Sequence, residues 1–96
     1  MSVFSGNTAT TATSDAVDIA SKIISFSIVN KTAGATTVSV GILYGSTFYI
    51  IYTKPLAAAG SLDSEYIYTG EPITILKDNQ IVVTASGSTD YYFSIE

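Results

Sequence analysis

Asp63 and Glu65 are the side chains whose type and spacing come nearest to doing chemistry. Two carboxylates at this separation could share acid–base work, as in glycoside hydrolysis, where one gives a proton and the other attacks or activates water. On a β-strand, side chains alternate between faces, so both would stand on one side. Leu62, Ser64 and Tyr66 take the other side, and the two carboxylates read as a solvated outer face. Asp15, Asp18 and Asp78 offer oxygen to calcium, but none stands in a loop with ligands at regular alternation. Asn30-Lys31-Thr32 fits the glycosylation acceptor pattern. That pattern arises readily by chance in a Thr-rich chain, and no secretion signal accompanies it.

The missing residue types exclude more than the present ones suggest. The chain has no histidine and no cysteine. Ser-His and Cys-His nucleophile pairs therefore cannot form, and a zinc site would need carboxylates alone. The glycines are isolated and none opens a helix, so there is no phosphate-binding loop. An enzyme is not expected, nor a cofactor or metal. Seven tyrosines and four phenylalanines invite a carbohydrate-binding reading, since aromatic faces stack on sugars. Tryptophan, the usual mainstay of such sites, is absent, and Tyr66, Tyr68, Tyr91 and Tyr92 read as cross-strand packing residues.

Charge narrows the partners. Four lysines, Lys22, Lys31, Lys54 and Lys77, are scattered among eight acidic residues, for a net charge of −4. A nucleic-acid binder clusters cations along the phosphates, and no such cluster exists here. Nor is there a basic patch for anionic lipid. Residues 1–15 carry neither a basic start nor an apolar run, which argues against a signal peptide. No segment approaches the ~18 apolar residues of a membrane helix.

The elements that position these residues are strands. From Ala16 the apolar period is two. "KIISFSIVN" places Ile24, Phe26 and Ile28 together, and "TTVSVGILY" places Val38, Val40 and Ile42 together. "TFYIIYTK" is stopped by Pro55, which cannot donate to a ladder. "LAAAG" is a small-residue connection, too short for a helix before Gly60. "SLDSEYIYTG" alternates Leu62, Ser64, Tyr66 and Tyr68 against Asp63, Glu65 and Ile67. "PITIL" is a short strand and "KDN" a turn. "QIVVTAS" aligns Ile81, Val83 and Ala85; "YYFSI" aligns Tyr91, Phe93 and Ile95. The expected fold is all-β, an antiparallel sandwich of jelly-roll or Ig-like type with about 7–8 short strands. Residues 1–15, mostly Ser, Thr, Ala and Gly, are expected to be a flexible or extended arm, and 16–96 the sandwich.

The order "ISFSIVNKTAGATTVSVGILY", a strand ending in Lys-Pro, "LAAAGS", then "ITILKDNQIVVTAS" and a short last strand resembles the small β-sandwich structural proteins of tailed bacteriophages. Those serve as capsid decoration or auxiliary proteins, head-fibre bases, and tail components. The likeness covers about 22–96 and is one of layout, without a signature motif, so no catalytic or ligand residues come with it. It implies a virion component made in the host cytoplasm without a signal peptide. Its partners would be other copies of itself, a trimer by the resemblance, and other virion proteins.

"LYGSTFYIIY" carries the remaining functional signal. Gly45-Ser46 reads as a two-residue hairpin turn with glycine at its first central position. Leu43 then faces Phe48, Ile42 faces Tyr49, and Val40 faces Ile51, and facing residues share a side of the sheet. With Val40 and Ile42 inward, Leu43, Phe48, Ile50 and Tyr52 form an outer face without a charge. A one-residue slip would expose Tyr49 and Ile51 instead. An apolar outer face of this kind marks an interaction surface, so these four residues are the expected subunit interface. The favoured function is a structural protein of a phage particle acting through subunit contacts. The alternative is a carbohydrate- or cell-surface-binding sandwich module.

Overall fold

A computed structural model describes residues 2–96. These described residues form nine strands and no helix: β1 (Ser2–Thr8), β2 (Thr11–Thr13), β3 (Ser21–Asn30), β4 (Thr36–Tyr44), β5 (Thr47–Leu56), β6 (Glu65–Tyr68), β7 (Ile73–Ile75), β8 (Gln80–Ala85) and β9 (Thr89–Ile95). One sheet runs β1-β9-β3-β6, with β7 also on β3; the other runs β2-β8-β4-β5. All pairings are antiparallel.

The pairings follow a single plan. β4 pairs with β5, β3 with β6 and β7, β2 with β8, and β1 with β9. A long hairpin whose tip is Gly45-Ser46 has been rolled so that β3 also meets β9 and β4 also meets β8. β6 and β7 lie along the same edge of β3 and are two pieces of one strand. With them merged, the order is that of a jelly roll. The interruption falls at Thr69–Pro72, where proline cannot extend the ladder.

Period two puts the expected residues inside. Phe26, Ile28, Val38, Val40, Ile81, Val83, Phe93 and Ile95 are buried between the sheets. Phe26 stacks on Phe93 at 4.9 Å between ring centroids and on Tyr68 at 5.2 Å. One inward residue differs from the period. The register of β3 against β9 shifts between Ile23 and Ser25, so Ile24 is a bulged residue and Ile23, fully buried, takes the inward place. A bulge adds one residue to a strand and reverses the alternation beyond it.

The N-terminal segment, expected as an arm, is laid into both sheets of its own chain. β1 pairs with β9 from Ser2↔Ile95 to Thr8↔Thr89, and β2 pairs with β8 through Ala12↔Val83. Phe4 anchors β1, its ring centroid 4.8 Å from Tyr91 and 5.7 Å from Phe93. Leu62, expected on the inward face of a strand, lies in the turn before β6 and is fully exposed.

Candidate interaction surface

The β4–β5 hairpin closes through Gly45-Ser46, with Gly45 at φ 62°. A positive φ at the first central residue is what a glycine-first hairpin turn needs, because its twist matches that of the strands. Near the turn the register is the expected one: Leu43↔Phe48 and Ile42↔Tyr49, then Gly41↔Ile50. Leu43, Phe48 and Ile50 stand on the outer face, Phe48 40% and Ile50 61% exposed. Val82, beside Gly41 on β8, shares that face and is buried.

Beyond Gly41 the register shifts, and Val40 faces Tyr52 where a regular hairpin would give Ile51. This bulge corrects the place of Tyr52 and brings both Ile51 and Tyr52 against the core. The Tyr52 ring lies 5.2 Å from Tyr68, 6.0 Å from Phe26 and 6.2 Å from Tyr66. The outer face of the hairpin is therefore apolar only in its tip half. Further along it becomes polar, with Ser39 and Thr53 hydroxyls 3.1 Å apart.

Tyr52 of β5 and Tyr66 and Tyr68 of β6 pack together against Phe26. Tyr66 meets Phe26 edge-on at 5.3 Å, and Lys54 Nζ sits 4.7 Å from the centre of the Tyr66 ring. Tyr68 donates from its hydroxyl to the Glu71 carbonyl at 2.6 Å. Its interaction with the Tyr52 hydroxyl, then burial and the neighbouring Tyr52, Tyr66 and Glu71 charges, push the Tyr68 pKa up to about 12. Burial and then Tyr52 raise that of Tyr66. These rings spend their faces on one another and on Lys54, so they do not form an open stacking platform. Tyr91 is buried against Phe4; Tyr92 is exposed, on the outer face of β9.

Asp63 lies in the turn before β6 and Glu65 begins that strand, both exposed. Asp15 and Asp18 line an open cleft of about 400 Å³ together with Val17, Ser21 and Glu96, at the crossover from β2 to β3. Among the described residues no group of three or more His, Cys, Asp or Glu could hold a metal ion. Asp78 takes φ 72° in the turn before β8, which short polar side chains tolerate.

Asn30 is fully buried and saturated. Its Nδ2 donates to the carbonyls of Gly34 and Ala57, both at 2.8 Å, and its Oδ1 accepts from the Thr32 N–H and hydroxyl. The acceptor pattern that begins at this residue is thus a loop clamp, closed to a glycosylating enzyme in the folded chain. Its role as a tie between the β3–β4 loop and the end of β5 has no local sequence signal, because Ala57 lies far along the chain.

No protein-family model matches the chain, and no curated protein matches it.

Proposed function

We propose that this protein is a structural subunit that assembles through the tip half of its β4–β5 hairpin. The observation that carries this reading is the hairpin's outer face, where Phe48 and Ile50 are exposed and Leu43 is half-buried, with no charge between Ile42 and Thr53. Burying a side chain of this kind is worth roughly 1.5–3 kcal/mol, so leaving the face wet forgoes several such increments. The layout resemblance suggests the setting, a tailed-phage particle, as a capsid decoration, head-fibre or tail component. The jelly-roll order is compatible with this but does not select it, because the same plan serves capsid and lectin domains alike.

Sedimentation velocity over a wide concentration range tests the reading, alone and with particles lacking the protein. The wild type is expected to self-associate or bind. A Phe48→Glu, Ile50→Lys double variant is expected to sediment as a folded monomer and to bind nothing. A wild type that stays monomeric and ignores the particles defeats the proposal.

A further inference from the structure

Resting on that assembly reading, we infer that a second copy of this chain pairs with the free edge of β5 at Phe48–Ile50, by antiparallel strand addition about a two-fold axis. β5 is the last strand of its sheet. Edge strands of folded proteins are shielded by brevity, charge, proline, bulges or a covering element. The far half of β5 has such shields: the bulge at Ile51, Lys54 reaching over Tyr66, and Pro55. Thr47, Phe48, Tyr49 and Ile50 have none, and all four are exposed.

The ladder fixes which backbone groups are free. A two-residue hairpin loop is closed by a hydrogen-bonded pair, here Tyr44↔Thr47. Alternation then makes Leu43↔Phe48 a non-hydrogen-bonded pair, Ile42↔Tyr49 a bonded pair and Gly41↔Ile50 a non-bonded pair. The N–H and C=O groups of Phe48 and Ile50 therefore point away from β4, toward solvent.

Those groups are complementary to their own copy. A two-fold axis normal to the sheet, passing beside Tyr49, brings Phe48 opposite Ile50 of the second copy and Ile50 opposite its Phe48. Both are bonded pairs, and Tyr49 meets Tyr49 between them as a non-bonded pair. The same faces of the two sheets then point the same way, and each Phe48 lies beside an Ile50 on the outer face. Aromatic and β-branched residues are favoured cross-strand partners. The segment carries no charge, so two chains of net charge −4 meet there without a like-charge contact across the ladder. The bulge at Ile51 bends the strand and ends the new ladder. The product is a two-fold dimer with a continuous sheet, not the trimer implied by the resemblance.

Cysteine placement reads this register directly, because the natural chain has none. Opposed residues of a non-bonded antiparallel pair have Cα atoms about 4.5 Å apart, within the range a disulfide spans. Tyr49→Cys is expected to form a disulfide dimer under mild oxidation, and Phe48→Cys is not. Ile50→Pro removes one outward N–H and no bond to β4, so it is expected to give a folded monomer. Ile50→Thr keeps the N–H and should still dimerise. A wild type that assembles while Tyr49→Cys stays uncrosslinked, or while Ile50→Pro still dimerises, overturns the edge pairing and leaves assembly standing. A trimeric wild type does the same. A wild type monomeric at every concentration overturns the pairing and removes the self-association behind it.

Discussion

The ring of Phe48 covers Gly41 so closely that a Cβ at position 41 would overlap it and would lie 2.5 Å from the carbonyl oxygen of Tyr49. Glycine in a strand interior weakens it; here an aromatic ring from the neighbouring strand fills the place of the missing side chain. Gly41→Ala is expected to destabilise the domain by about 1–3 kcal/mol, the usual range for overpacking. Adding Phe48→Ala to that variant should recover part of the loss. A denaturant double-mutant cycle measures the coupling, and additive losses would show that ring and glycine are independent.

Gly45 is constrained by conformation, not by space. Nothing lies within 4 Å of a Cβ built there, yet its φ is positive. Gly45→Ala is expected to cost about 1–2 kcal/mol, the penalty of a left-handed residue with a Cβ. Gly45→Asn should cost less. Gly87 carries the opposite constraint: an added Cβ would sit 2.7 Å from Thr36 Oγ1 and 2.9 Å from Thr32 Cγ2. The contrast between Gly45 and Gly87 is thus torsional against steric, and a valine is unfavourable at both. Thermal melts of the alanine and asparagine variants check the torsional half.

Asn30→Ala is expected to lower stability by more than about 3 kcal/mol, since a buried polar group left without a partner costs roughly 1–3 kcal/mol and several lose theirs together. Urea unfolding measures it. A loss below about 1 kcal/mol would mean that water replaces the amide.

The strand faces are legible in the sequence wherever the period runs uninterrupted. Val38, Val40 and Ile42, and likewise Tyr91, Phe93 and Ile95, fall inside as alternation requires. Both departures in the long strands, Ile24 and Tyr52, follow a bulge, and a bulge inserts a residue without leaving a composition mark. Leu43, Phe48 and Ile50 lie between the turn and the bulge, so turn chemistry places them correctly; Tyr52 lies past it. The N-terminal strands escape notice for another reason. Their Thr, Ser and Ala side chains give little apolar signal, and β1 is held by β9 at the other end of the chain.

Tyr68 supplies a pH dependence. With its pKa raised to about 12 from the ordinary 10.0, the fold favours the protonated hydroxyl. Its contribution to stability is complete below pH 10 and is lost as pH climbs towards 12. Absorbance titration near 295 nm is expected to show a tyrosine ionising late, and Tyr68→Phe to remove that phase. Persistence of the phase in that variant would assign it to another ring.

The rolled hairpin also sets a timetable for folding. Among the described residues, only the pairing of β4 with β5 joins consecutive strands. That pair can zip as soon as Leu56 has been made. Each outer pair must wait longer, and β1 has no ladder until β9 is synthesised. Contacts so distant in sequence make folding slow. A ribosome making this chain therefore carries β1 unpaired until β9 emerges, while the hairpin with the unshielded edge can pair much earlier, if only marginally by itself. In a crowded polysome, neighbouring nascent chains would meet first at that hairpin, before any of them has a closed roll.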